Sequence, residues 1–350
     1  MNGPNHANRR TVLKTMTAIL VGGGLLTGTA GATRGTPPGK ARGRRNEVEI
    51  ASEHDHDTGE HRFELSTHEV ASGWTTFELD NRTEHTHFAY MAKLPQAAID
   101  AAGERDLLEF YVEQVTEPFQ GLMDSLLDKE PRHPIVFPDW FADVLPSGGP
   151  GLTSAGGTAT TTVNLDPGEY IVECYVKNDD GEFHSYLGMI DRLTLTGERS
   201  DAPEPEPTLE LSVSTGGFDV GTDVRPGRHT VAVTFENQTV YDNLVGHDAH
   251  LIRLDDGTTV EDVNDWMDWM EPGGLASDGT EPGTFLGGVE TILTPDLLAG
   301  TGTETGYAHV TLKPGTYAWV AEVPDPASKG LLKQFSVPAE RGLGGHWFRP

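Results

Sequence analysis

The sequence predicts an all-β protein built as two tandem Greek-key β-sandwiches with short helical insertions. Three observations carry this reading. Short stretches of alternating apolar and polar residues recur between Gly, Pro, Asn and Asp turn signals, the pattern of half-buried strands. The chain also repeats itself: Val163 to Val176 lines up without a gap on Val310 to Val323, each a strand, a Pro-Gly turn (Pro167-Gly168, Pro314-Gly315) and a second strand. Upstream, Gly73 to Asn81 resembles Gly227 to Asn237, and His87 to Leu94 aligns with His247 to Leu254, so three matches fall in one order. Finally, Asp201-Ala-Pro-Glu-Pro-Glu-Pro207 separates the repeats as a stiff, extended, charged linker.

Taken in order, residues 1–32 read as an export signal. Asn8-Arg9-Arg10-Thr11-Val12-Leu13-Lys14 fits the twin-arginine pattern, Thr15 to Leu26 is a short apolar stretch, and Ala30-Gly31-Ala32 is a small-residue cleavage site. The mature chain is therefore expected outside the cytoplasm, extracellular or at the cell surface, with no integral membrane segment. Residues 33–46 are rich in Gly, Pro and Arg and read as a flexible leader. His54-Asp55-His56-Asp57 with His61 reads as a solvated acidic linker, because nothing in the sequence fixes its geometry; loose divalent-metal binding is the other reading. The first domain is expected over 47–197, the Pro/Glu linker over 198–207, the second domain over 208–338 and a tail over 339–350.

Each domain begins with a Gly turn and a strand ending in Asn, continues with a His-led strand, and closes on its Pro-Gly unit, expected to form a hairpin. Each also carries an insertion with helical spacing, Gln96 to Leu127 in the first and Val260 to Met270 in the second. Trp266, Met267, Trp269 and Met270 in the second insertion are expected to pack over the end of the sandwich rather than to form a partner surface.

Charge excludes one class of partner. The 54 acidic residues outnumber 25 basic ones, and from Glu47 onward 54 acids face 17 bases. Such a surface repels nucleic acid and anionic membranes, whose binding needs Lys and Arg. It is suited to concentrated, screening salt and has a halophilic composition, so it speaks to habitat rather than to substrate.

The chemistry gathers around Cys174. It is the sole cysteine, so in an exported chain it has no internal disulfide partner. A thiol packed as a small hydrophobe is one reading and a thiolate metal ligand the other. His184 and Met189 follow it as C-x9-H-x4-M, and Asp179-Asp180-Gly181 is a turn signal that lets the two arms of the loop approach. His87 would arrive from a neighbouring strand. His85, two residues away on the same face, is its rival; His87 is preferred because the repeat aligns it with His247.

His87 after Asn81, followed much later by Cys174, His184 and Met189, resembles the ligand order of cupredoxins, the blue-copper sandwich family. The resemblance implies one type 1 copper site in the first domain, held by His87, Cys174, His184 and Met189, a set that soft thiolate and borderline imidazole chemistry makes fit for copper. The loop spacing and tandem arrangement are similar to those of copper nitrite reductases, but Glu173 stands where their catalytic His precedes the Cys, and Phe88-Ala89-Tyr90-Met91 supplies no second catalytic His. Ala321 and Leu331 occupy the places of Cys174 and Met189 in the second repeat, where only His247 keeps its position, so the second domain is expected to be copper-free. The implied function is an exported copper protein that carries single electrons to a redox partner protein, or holds copper, without evident catalysis. A metal-free tandem sandwich for binding or assembly at the cell surface is the alternative. A copper enzyme whose second metal draws on His54, His56, His85 or His250 is a third reading. No Ser/His/Asp order, phosphate-cradling loop or zinc pattern suggests other chemistry.

Overall fold

The computed structural model describes residues 46–55, 58–221, 224–277, 279 and 281–339. Residues 1–45, read above as an export signal and a leader, His56 and residues 340–350 lie outside them. The first half contains β1 (Glu47–Asp55), β2 (Glu60–Leu65), β3 (Glu69–Asn81), β4 (Tyr90–Lys93), β5 (Leu145–Pro146), β6 (Thr158–Leu165), β7 (Gly168–Glu173) and β8 (Ile190–Arg199). The second contains β9 (Leu209–Ser214), β10 (Gly217–Val220), β11 (Gly227–Phe235), β12 (Ala249–Leu254), β13 (Gly283–Val289), β14 (Glu304–Leu312), β15 (Gly315–Val320) and β16 (Leu332–Val337). The protein is all-β with short helices. Among the described residues, no helix is long and apolar enough to cross a membrane.

Period-two burial makes these strands. In β3, Phe77 and Leu79 are fully buried while Thr76, Glu78 and Asp80 alternating with them are partly exposed, so one face of the strand supplies core and the other meets solvent. β3 is long enough to serve two layers. Its first residues, Glu69 to Ala71, pair in parallel with β8, and the remainder pairs antiparallel with β6. The register shifts between Ala71 and Ser72, and Gly73 at φ +103° supplies the backbone turn there that other residues resist. Strands β8, β7, β4 and β5 continue from that corner.

The Pro-Gly units do not form the expected hairpins. β6 pairs with β3 and β14, whereas β7 pairs with β4 and β8; likewise β14 pairs with β11 and β6, and β15 with β12 and β16. Each unit therefore turns the chain from one layer to the other. A tyrosine pins each corner: the Tyr170 hydroxyl donates to the Asp166 carbonyl at 2.8 Å, and the Tyr317 hydroxyl to the Lys313 carbonyl at 2.8 Å. Both rings are buried, and an alternating strand that flips layers keeps the same apolar pattern a hairpin would show.

One sheet runs through both halves in the order β10-β9-β11-β14-β6-β3, with β1 and β2 beyond β3. The join is the antiparallel pair β6 and β14, with Tyr307 opposite Thr162, Ala308 opposite Thr161 and His309 opposite Thr160. The second half closes with a separate sheet, β13-β12-β15-β16.

The insertions lie where the helical spacing put them, as Gln96–Ala102, Leu107–Tyr111, a π-helical turn Val112–Thr116 and Glu117–Leu126, and then Val260–Trp266. Asp106 starts the second of these by accepting from the Leu108 and Glu109 amides, both at 3.0 Å. Trp266, Met267, Trp269 and Met270 are buried, and the Trp269 ring packs edge-on against Phe119 and Phe183. They are core. Two expectations are corrected at the chain's start. Asn46 belongs to the fold, since its side chain donates to the Ala71 carbonyl and the Thr75 hydroxyl, each at 2.7 Å. His54, Asp55 and His61 of the supposed acidic linker belong to the β1–β2 pair, in which His54 stands directly opposite His61; His61, Phe63 and Leu65 alternate inward, and their burial outweighs the polar composition of the segment.

Candidate metal centre

Three chain segments bring His87, Cys174 and His184 together, each fully buried. His87 follows the loop after β3 and is fixed by two backbone bonds to Thr153, N–H to O at 3.1 Å and O from N–H at 2.7 Å. Cys174 follows β7 directly. The chain then turns at Asp179–Asp180, where Gly181 takes φ +72° and its N–H reaches the Asn178 carbonyl at 2.9 Å. On the return arm the His184 N–H donates to the Val176 carbonyl at 2.9 Å. Met189, also fully buried, ends the loop before β8; its N–H donates to the His184 carbonyl at 2.8 Å and its carbonyl accepts from Cys174 at 3.2 Å. The Gln120 side chain holds the loop from outside, accepting from the Phe183 N–H at 3.0 Å and donating to the Gly181 carbonyl at 3.2 Å.

The three donor atoms form a tight triangle. Cys174 Sγ lies 3.7 Å from His87 Nδ1 and 3.8 Å from His184 Nδ1, and the two Nδ1 atoms are 3.0 Å apart. The opposite ring nitrogens each face a hydroxyl. The Ser277 hydroxyl donates its one hydrogen to the Lys177 carbonyl at 2.9 Å, so towards His184 Nε2, at 3.2 Å, it accepts. The Thr83 hydroxyl accepts from the His85 N–H at 3.1 Å and stands 2.7 Å from His87 Nε2, with Asn81 Oδ1 3.0 Å away as another partner. Each imidazole thus turns Nδ1 inward and sets Nε2 against a hydroxyl, the arrangement by which outer partners orient metal-ligating histidines. Two lone pairs 3.0 Å apart repel unless a cation or a shared proton lies between them.

Electrostatics follow from burial. Burial, then the neighbouring imidazoles, keeps His87 and His184 well below the ordinary histidine value, so both rings are neutral. Burial pushes the Cys174 thiol up to about 12, against donation from the Phe88 and Val176 amides. Beside it, burial raises Glu173 to about 7 although the Tyr111 and Tyr175 hydroxyls donate to its Oε1 at 2.8 and 2.7 Å.

His85 is placed differently from His87. It is partly exposed, and its Nδ1 faces the Ser277 carbonyl at 3.0 Å. Thr83 and Ser277 at this centre escaped the sequence reading, and His61 was read only as part of a linker or a loose metal site. His61 stacks on His184 with ring centroids 4.2 Å apart, and its alternation with Phe63 and Leu65 was the available signal. Thr83 and Ser277 are lone hydroxyl residues with no spacing to betray them. Ser277 comes from the second half, whose Leu275 and Ser277 backbones pair with Lys177 at 2.8 Å each, so both halves build the centre.

In the second half, His247 is buried with its Nε2 2.8 Å from the Tyr241 hydroxyl, and Ala321 and Leu331 occupy the places equivalent to Cys174 and Met189. Asp248, His250 and Glu322 cluster there. The Leu152 N–H donates to His250 Nδ1 at 3.1 Å, which leaves that ring's proton on Nε2, 3.3 Å from Asp248 Oδ1. Burial, then the Asp248 charge, holds Glu290 and Glu322 well above the usual carboxylate range.

No family model and no curated protein matches the chain. Among solved structures, it is similar to auracyanin B at 17% identity, covering 39% of this chain and 94% of that one, with a TM-score of 0.26. A dithionite-reduced auracyanin from Roseiflexus castenholzii matches at 19% identity over 37% of this chain and 95% of that one, with a TM-score of 0.25. A copper nitrite reductase from Nitrosomonas europaea matches at 10% identity over 85% of this chain and 95% of that one, with a TM-score of 0.22.

Proposed function

We propose that this chain is an exported copper protein that holds one ion between His87 Nδ1, Cys174 Sγ and His184 Nδ1, with Met189 as a weaker fourth donor, and carries single electrons or stores copper. The observation that supports it most is the pair of inward-facing imidazole Nδ1 atoms 3.0 Å apart, closed by a thiol at 3.7 and 3.8 Å. This is a soft-plus-borderline donor set of the kind copper favours. When bound there, copper supplies one-electron redox chemistry.

The protein's own groups prepare the place. Thr83 and Ser277 hold the two rings, the Phe88 and Val176 amides donate to the sulfur, and full burial of all four side chains keeps water out. Rings locked by such contacts change position little between charge states, which suits electron transfer. Cys174 gives up its proton when the metal arrives, so binding strengthens as pH rises. The chain would fold as two cupredoxin-like domains divided near residues 198–207, the second without copper. The reading extends to twin-arginine export, a redox protein as partner, and a surface made for high salt.

Adding Cu(II) to the purified full chain tests the assignment. An intense visible copper–thiolate band is expected, lost in Cys174→Ser and in His184→Ala. A colourless wild type, or colour that survives Cys174→Ser, would sink it.

A further inference from the structure

A second group of metal-binding side chains lies at the rim of the buried centre. His54 from β1 and Glu84 and His85 from the loop after β3 each bring one ligand atom within 4.8 Å of the others. His54 Nδ1 is 3.4 Å and His85 Nε2 3.6 Å from one and the same atom, Glu84 Oε1. The far side of His85 orients the ring. Its Nδ1 is 3.0 Å from the Ser277 carbonyl, which only accepts, so Nδ1 carries a hydrogen and Nε2 is the nitrogen that faces the carboxylate and is left to take a metal ion.

An independent observation points inward from this rim. The His61 ring is only 4% exposed and its Nδ1 has no hydrogen-bond partner. It stacks on His54 at 4.3 Å on one side and on His184 at 4.2 Å on the other. One of its nitrogens lies within 4.8 Å of those of His87 and His184. The side chains of His54, His85 and Glu84 are 15%, 23% and 52% exposed, so solvent reaches the outer group while the inner one is sealed. A row of imidazoles thus leads from solvent to the buried donors.

We propose that His54, Glu84 and His85 form a second Cu(II) site, a loading port, from which the ion passes His61 to reach the buried donors. Two imidazoles and one carboxylate are borderline nitrogen and oxygen donors, a set that binds Cu(II) most tightly among first-row divalent ions. Partial exposure lets the port exchange with solution. Without the thiolate it gives an ordinary Cu(II) spectrum. The delivery role rests on the copper assignment above; binding at the rim does not.

The test uses the full chain. In a Cys174→Ser background, titration with Cu(II) should show, by calorimetry and electron paramagnetic resonance, one bound ion with nitrogen and oxygen ligation and no intense visible band. Adding Glu84→Gln and His85→Gln should weaken that ion's binding by about tenfold or more, and His54→Gln alone should weaken it in the same direction. In protein that keeps Cys174, the Glu84→Gln/His85→Gln pair should slow growth of the visible band by about tenfold at unchanged final amplitude. Unchanged affinity in the first comparison, or unchanged rate in the second, would overturn the port. A wild type that never colours would overturn the buried thiolate site instead, and the Cys174→Ser titration would still decide whether the rim binds copper.

Discussion

Lys177 offers a measurable electrostatic cost inside the loop that carries Cys174 and His184. Its side chain is fully buried, and its ammonium donates to the Trp269 and Glu271 carbonyls, both at 2.7 Å. Burial lowers it from 10.5 to about 8, only partly offset by the Asp268, Glu322 and Glu271 charges. Holding the charged form indoors at neutral pH therefore costs about 3 kcal/mol. Below about pH 8 the folded and unfolded chains both carry the proton and the cost is complete. Between about 8 and 10.5 the unfolded chain binds more protons than the folded one, so stability rises with pH; above 10.5 both are neutral and the cost is gone. Lys177→Met keeps the stem's volume and removes the charge, at the loss of two hydrogen bonds that does not change with pH. Urea unfolding of both proteins at pH 7 and pH 10, followed by tryptophan fluorescence, isolates the effect. The wild type should gain about 2.5 kcal/mol on the variant between the two pH values. A difference that stays constant within about 0.5 kcal/mol would refute the reasoning.

Other outcomes follow from the same geometry. Thr83→Ala and Ser277→Ala free the two rings and should each lower copper affinity by about tenfold or more, read by competition with a chelator, while the visible band keeps its position. Gly149 sits at φ +127°, and a Cβ there would come within 2.0 Å of the Ala89 carbonyl oxygen; Gly149→Ala should cost roughly 3 kcal/mol or more in urea unfolding. His247→Ala should leave both the intensity of the band and the copper stoichiometry unchanged, since its partner is the Tyr241 hydroxyl.

Much of this was legible in the sequence where one residue type had one physical use. Alternating apolar residues gave the strands, Asp179-Asp180-Gly181 gave the turn that returns His184 to Cys174, and helical spacing gave the insertions at Gln96 and Val260. The failures have physical reasons too. An alternating strand crossing between layers looks the same as one in a hairpin, so the Pro167-Gly168 corner was misread; only the Tyr170 hydroxyl on the Asp166 carbonyl distinguishes them. Polar composition hid the inward phase of His61, Phe63 and Leu65. Lys177 is the kind of residue expected on the surface, and its two carbonyl partners come from a segment 92 and 94 positions away. The joining of the halves through β6 and β14 uses backbone groups, which no side-chain pattern announces.

That join has a symmetry of its own. In the repeat alignment Thr160, Thr161 and Thr162 correspond to Tyr307, Ala308 and His309, and the observed partners are Thr160 with His309, Thr161 with Ala308 and Thr162 with Tyr307. Each pair is therefore the counterpart of another, and Thr161 with Ala308 sits on a pseudo-two-fold axis. This is the isologous contact of a homodimer, in which position i meets j and j meets i, written into a single polypeptide. A true homodimer must change both copies at once, but a fused one can keep Cys174 in one half and place Ala321 in the other. The halves of this symmetric scaffold therefore differ at the buried centre, one supplying Cys174 and the other placing Ser277 against His184.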